Sequence, residues 1–444
     1  MPLGCGGNWH VALVVFLYVA HRSQKYIEHI GAPGRLGRTG RTLSSSMAHA
    51  APIKLDVREN GQGSARQPLP AVGALERQSL NIMGGMCLVF GLLLEAGGAD
   101  ALRSENNEGR LIYLVLCFPL ATAALCGLRV AFHGPTRLEF AREWRNWHVH
   151  AFIGFMSMVD ATYTLATHRF FTLFTQPALP MFQLACTVAM RAYILRVRYS
   201  LIQRAILRAL VCIAAWKLYV MLDNTLLGNW LYLYATAMCV LSAAALAVAA
   251  VCAEAHIAAS LLAQRLPTGA GTPAPANADA QTSPIIERAV VFNMLIGVYA
   301  FAFNVAFLVL VKKRPVVSSL AIAAELLRAR PTACLVVFAG VFAATMAFAV
   351  LLLSANAAFA TATSAFGKAC RFLAIPSVQR MHPQSLTVHV VGCILASAAI
   401  RYHGDPLVPD LPVRHGLLKW HVRAVGLAFV AATVSATVLG IGTA

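Results

Sequence analysis

Charge is what this chain has least of. Only 12% of its 444 residues are Asp, Glu, Lys or Arg, while 58% are apolar. A soluble globular domain carries about a quarter charged residues, and a soluble chain of this length would fold as two or three domains. Half the usual charge leaves too little polar surface to cover cores of that size. The deficit is met if much of the outer surface faces lipid, so the lipid bilayer is the first partner the composition names.

Chemical signatures are also scarce. None of the 11 cysteines stands in a C-x-x-C pair. Most lie singly within apolar runs, as Cys87, Cys126, Cys239 and Cys252 do, where a free thiol packs as a small hydrophobe. This scatter excludes zinc ribbons and a secreted disulfide framework. The chain has no G-x-x-x-x-G-K-[ST] loop, no G-x-S-x-G elbow and no H-E-x-x-H. A P-loop pump, a serine hydrolase of the elbow type and a zincin are excluded with them. The dense H-x-x-x-H and H-x-x-H-H boxes of membrane di-iron enzymes are missing too. The sequence therefore assigns no cofactor and no metal.

Acidic residues are the scarcer charge. Lys and Arg number 36 against 18 Asp and Glu, a net charge of +18. In a soluble protein that balance would suggest nucleic acid. Here the basic residues sit mostly between apolar runs, where Lys and Arg hold loops on the cytoplasmic side of a membrane. Topology, not nucleic acid, accounts for the charge.

What is abundant is long apolar sequence. A helix needs about 20 mostly apolar residues to cross the hydrocarbon core. Runs that meet or approach this are 80–99, 111–132, 149–167, 170–190, 205–222, 230–253, 289–311, 333–356, 385–400 and 424–442. The fold expected is an all-α, polytopic transmembrane helix bundle of about nine to ten spans. Run 205–222 carries Arg208 and Lys217 and either crosses or lies in the interface. The four main basic clusters, at 137–145, 196–204, 312–330 and 401–423, share one side only if it does not cross, which favours nine.

Two stretches fall outside this pattern. Residues 1–78 hold a short apolar segment, Val11 to Ala20, followed by an Arg- and Ser-rich stretch with few acids. That composition is transit-like, and two readings stand: a two-part leader to an organellar membrane, or a basic tail after an interfacial helix. The stretch Pro267 to Pro284 is rich in Pro, Ala, Gly and Thr and reads as a flexible linker. It divides an N-terminal bundle (79–266) from a C-terminal one (289–444), with 267–288 between them.

A hairpin recurs. Arg129 and Phe132-His133-Gly134-Pro135 precede Trp147-His148-Val149-His150, and Arg401 and Tyr402-His403-Gly404-Asp405-Pro406 precede Trp420-His421-Val422. Internal repeats are common in transporter folds, where matching positions flank the substrate route. Local convergence produces the same pattern, because Trp is enriched where helices enter the membrane. With nine spans both hairpins open on one face, which would bring His133, His148, His150, His403 and His421 towards one another as cofactor or interface histidines.

Charge inside a span is costly and marks a pathway, a pair or a boundary. Glu95, Asp160, Arg191, Lys217 and Glu254 are such residues. Asp160 lies mid-run, with Tyr163 and Thr164 on the same helical face. It would bind a cation or relay a proton, with Tyr163 and Arg191 as neighbours, or else simply pair with Arg191. Asn293 and Asn304 share a helix face and are expected to join helices. The leading functional expectation is a transporter or channel-like protein for a small solute. The alternatives are a membrane-embedded His-dependent (haem or metal) oxidoreductase or lipid-modifying enzyme, and a structural subunit of an organellar membrane complex. A homo-oligomer or a larger assembly fits any of the three.

Overall fold

The structure, a computed structural model, describes residues 71–102, 112–167, 178–223, 230–265, 282–310, 315–374, 383–403 and 415–438. The leader-like region up to residue 70 and the linker stretch 266–281 lie outside the described residues. Every regular element among the described residues is helical. In chain order they are α1 (Ala71–Leu102), a π turn (Tyr113–Cys117) running into α2 (Phe118–Phe132), α3 (Gly134–Trp144), α4 (Trp147–Thr167), α5 (Ala178–Ile194), α6 (Leu201–Asp223) and α7 (Trp230–Arg265). Then come α8 (Thr282–Leu310), α9 (Val316–Ala329), α10 (Pro331–Ser354), α11 (Ala357–Ala374), α12 (Pro383–His403) and α13 (His415–Val438).

Five segments among the described residues are long and apolar enough to cross a membrane: Arg77–Gly98, Tyr113–Phe132, Thr236–Ala259, Ile285–Val309 and Pro331–Ser354. They match the sequence runs at 80–99, 111–132, 230–253, 289–311 and 333–356. The chain has the build of an integral membrane protein. Its outward surface agrees, since Ile82, Met83, Met86 and Phe90 of α1 are all exposed along one stretch of helix, an apolar display that water-soluble monomers avoid.

Three helices fall outside every apolar run. α3 and α9 are short, of 11 and 14 residues. α11 (AAFATATSAFGKACRFLA) falls short of an apolar run because Thr, Ser, Lys and Arg dilute its hydropathy. It is nonetheless deeply packed: Ala357, Ala358, Ala360, Ala362 and Ala365 are buried against α1, α5 and α12. Small side chains let it sit close to its neighbours, which a hydropathy count cannot register.

Local chemistry explains the breaks. Pro331 opens α10 and Pro135 opens α3, each at a position where the missing N–H would be unsatisfied anyway. Asn356 caps α11: its Oδ1 accepts the Phe359 N–H at 2.8 Å while its Nδ2 donates to the His403 carbonyl at 2.9 Å. α6 starts with a capping box, in which the Gln203 N–H reaches Ser200 Oγ at 3.3 Å and the Ser200 N–H reaches Gln203 Oε1 at 2.7 Å. Pro119 cannot send the usual helical bond back to Val115. The Val115 carbonyl takes Asn304 Nδ2 from α8 at 2.9 Å instead, the helix-joining role expected of Asn304. Asn293 donates to the Ala289 carbonyl of its own helix at 2.9 Å and to Met346 Sδ of α10 at 3.2 Å.

Two packing features organise the bundle. The first is a seam between α1 and α10. Gly84, Gly91 and Gly98 recur every seven residues on α1 and meet Leu351, Ala344 and Val337, which step back by seven along α10. A β-carbon at Gly91 would lie 2.7 Å from the Gly340 carbonyl oxygen and 2.7 Å from the Ala344 nitrogen. The two backbones touch from Gly91 to Gly98, about 10 Å of helix, while Gly84 packs on the Leu351 side chain; the same register ends in a hydrogen bond from Ser354 to Asn81 at 2.6 Å. Helices on opposite sides of the linker thus pack on one another, as α8 also does on α2 and α4.

The second feature is α7, whose apolar window is 78% buried. A helix apolar all round belongs in an interior, and α4, α5 and α13 surround it. Among its buried polar residues, Ser242, Glu254 and His256 each turn towards a different neighbour. Around Glu254 and His256 the ends of α2, α4, α5, α8, α10, α11 and α12 gather into one polar layer. The opposite ends share an apolar cluster of Leu102, Tyr113, Leu116, Leu308, Leu326 and Cys334.

Candidate functional site

The turn between α3 and α4 sets the site. Asn146 N–H bonds the Glu143 carbonyl at 2.9 Å and Val149 N–H bonds the Asn146 carbonyl at 3.0 Å. This tight reversal puts Glu143, at the end of α3, beside His150 in the first turns of α4. From α7, His256 Nε2 lies 2.8 Å from Glu143 Oε2. From α8, Arg288 donates through Nε at 3.1 Å and Nη2 at 2.9 Å to the other oxygen, Oε1. His150 Nε2 stands 3.7 Å from Oε2, and the imidazoles of His150 and His256 meet edge to face at 5.7 Å. Four helices supply this cluster, and all four side chains are buried.

The His150 tautomer follows from its other nitrogen. Nδ1 lies 3.3 Å from the Asn146 carbonyl, so it carries the proton, and Nε2 then presents a lone pair. That Nε2 has no hydrogen-bond partner and faces a carboxylate oxygen. Glu143 itself is firmly ionised. Burial opposes its charge, but the His256 hydrogen bond and the neighbouring charges of His256 and Arg288 outweigh that, holding the carboxyl well below the usual carboxylate range.

A second cluster adjoins it. Glu287, next to Arg288 on α8, accepts hydrogen bonds from Arg129 of α2 and Thr136 of α3. His133 Nδ1 lies 3.0 Å from Thr136 Oγ1 and 3.5 Å from Glu287 Oε2. A third pair lies deeper: Arg191 of α5 makes three contacts of 2.8 to 3.1 Å with the Glu254 carboxylate of α7. Glu254 Oε2 also accepts the Ala357 N–H at 3.2 Å at the start of α11. The pairing of Asp160 with Arg191 considered from sequence is thus replaced by Arg191 with Glu254. Arg191 sits near the end of its helix and Asp160 near the middle of α4, so the two belong to different levels of the bundle.

Asp160 finds its partner on α7. Ser242 Oγ donates to Asp160 Oδ1 at 2.5 Å, and the Lys368 charge of α11 acts on the same carboxylate. The Tyr163 side chain lies outside the described residues. The hairpin histidines separate. His133 and His150 enter the two clusters above, while His148, on the other side of α4 from His150, packs edge-on to Trp147 at 6.0 Å. His403 stands edge-on to Tyr199 at 4.8 Å. His421 Nδ1 donates to the Leu417 carbonyl at 2.7 Å and lines an apolar cavity of about 540 Å³ with Met190, Thr236, Val240 and Val425.

Sequence reasoning did not single out Glu143, His256 or Arg288. Glu143 lay hidden in a basic cluster, and Glu287 and Arg288 fell at the end of the stretch 267–288 set between the two bundles. His256 had one usable signal, its place two residues after the in-span Glu254. Glu143, His150 and His256 offer one carboxylate oxygen and two ring nitrogens within 4.8 Å of one another. Such a group can hold a proton between ring nitrogens and a carboxylate, or bind a metal ion. No protein family and no curated relative matches the chain.

Proposed function

We propose that the protein carries a small solute or ion across the bilayer, and that Asp160 is the group at which a cation or proton is taken up. The observation that carries this reading is the position of Asp160. It lies 13 residues into α4, about 20 Å from the helix start, well inside a hydrocarbon core of about 30 Å. There it is bonded to Ser242 of the buried α7, with Lys368 acting from α11. A carboxylate at that depth, shared by three packed helices, is what a relay or coupling site requires. Arg191, engaged by Glu254, drops out of the pathway. The nine to ten crossings belong to this reading. α6 starts in the polar layer, where Gln203 donates to the Tyr402 carbonyl at 2.5 Å, and the next helix returns to that layer, which supports counting α6 as a crossing.

The test is flux in sealed vesicles. Purified protein reconstituted into proteoliposomes is challenged with H⁺, Na⁺ and K⁺ gradients, with an internal pH dye and ion-selective electrodes as readout. Wild-type protein accelerates the decay of at least one gradient, and Asp160→Asn abolishes this while eluting as the same folded species. Unchanged flux in Asp160→Asn, or no flux from wild type under any gradient, would overturn the reading.

A further inference from the structure

We infer that Glu143, His150 and His256 form a binding site for a divalent transition metal, bound through Glu143 Oε2 and the two Nε2 atoms. The inference is independent of the transport reading, since it concerns a different level of the bundle.

Three features of the site point to a metal. The first is the unpartnered Nε2 of His150, fully buried and aimed at a carboxylate oxygen 3.7 Å away. A buried lone pair on a ring nitrogen that faces a carboxylate oxygen is left unsatisfied, and a cation between the two atoms would engage both. The second is size. Ligand bonds of 2.0–2.2 Å around a tetrahedral ion place neighbouring donors about 3.3 Å apart, and the distances from Oε2 to the two ring nitrogens, 2.8 and 3.7 Å, bracket that. The third is the surrounding shell. The Asn146 carbonyl takes the Nδ1 proton of His150 at 3.3 Å, which fixes the ligating tautomer. Arg288 holds Oε1 through two contacts, so the carboxylate binds through Oε2 alone.

Arg288 also decides which metal. Its charge opposes any cation, and Ca²⁺ or Mg²⁺, which rely on carboxylate charge and many oxygens, are disfavoured. Two imidazoles favour Zn²⁺, Co²⁺ or Cu²⁺, whose bonds to nitrogen are stronger. Three protein ligands leave the fourth position of a tetrahedral ion open, the pattern of a site that takes water or an exchangeable ligand. On binding, the Nε2 proton of His256 leaves to solvent, so affinity falls as pH falls.

The experiment uses the full chain, purified in detergent without a polyhistidine tag, stripped with a chelator and titrated with Co²⁺. Wild-type protein develops the absorption of a tetrahedral Co²⁺ site at one equivalent, bleached by Zn²⁺ and unaffected by Mg²⁺. His150→Ala and His256→Ala each weaken binding by about 100-fold or more, since even outer-shell changes cost 10–100-fold. His421→Ala, in the apolar cavity, leaves it unchanged. His150→Cys keeps a ligand in place and adds a sulfur-to-Co²⁺ charge-transfer band, a signal that a merely misfolded variant cannot give. A wild-type protein that takes up no Co²⁺ or Zn²⁺, a wild-type affinity in His150→Ala or His256→Ala, or a His150→Cys protein without the new band would each overturn the assignment. A proton held in place of a metal is the outcome the first of these results would reveal.

Discussion

The seam between α1 and α10 and the polar layer at one end of the bundle hold helices together in opposite ways. Along the seam there is almost no charge. Gly91, Gly98 and Gly340 bring two backbones into contact and Gly84 takes the Leu351 side chain, and the attraction is dispersion between closely packed atoms. In the polar layer the helix ends are linked by Arg191 with Glu254, Arg288 with Glu143 and Arg129 with Glu287. In lipid, apolar side chains gain little by leaving one apolar surrounding for another, so association rests on close packing and interhelical hydrogen bonds. This chain applies each means in its own region. The seam can be weakened by adding a methyl group, whereas the layer is vulnerable to losing one charge of a pair.

The comparison is best broken at Glu254. Glu254→Ala leaves the Arg191 guanidinium buried without its carboxylate and removes the acceptor of the Ala357 N–H; the expected loss is about 3–5 kcal/mol, read from thermal or denaturant unfolding in detergent. The double variant Arg191→Met with Glu254→Leu is expected to recover most of it, because removing both charges of a buried pair is often close to neutral. A double variant as unstable as Glu254→Ala would mean the pair itself, not the orphaned charge, dominates. Gly340→Ala is next. Its methyl would press on the Glu95 and Gly91 backbones, where no side chain can swing aside, and the expected loss is about 1–3 kcal/mol. Unchanged stability would show that the two helices do not approach as closely as the seam requires. Ser354→Ala removes the neutral bond to Asn81 at the junction of seam and layer. Interhelical bonds of this kind are worth about 0.6 kcal/mol in membranes, and a loss as large as that of Gly340→Ala would sink the ranking.

Much of the frame was legible beforehand. The five most apolar segments lie where runs of about 20 apolar residues predict them, because length and hydropathy alone decide whether a helix suits a bilayer. α11 escaped because Thr, Ser, Lys and Arg dilute its hydropathy while its buried face is made of small alanines. The α1 glycines are visible in the sequence as a seven-residue spacing, but their meaning needs the matching step back along α10. Of the site, His150 was within reach through the Trp-His-Val-His string, and Glu254 through its charge inside a run. Glu143, His256 and Arg288 each look ordinary on their own helices.

The sequence by itself determined the helical, lipid-suited character of the chain: charge is scarce and the apolar runs are long, and five helices among the described residues fit an integral membrane protein. Only the tertiary structure decided which charges meet. A helix fixes spacing along its own axis to 1.5 Å per residue, but says nothing of which residue of another helix will lie opposite. Glu143 and His256 are 113 residues apart in sequence, and their contact exists because α3, α4, α7 and α8 end at the same level, where leaving any one of these groups alone away from water would be costly.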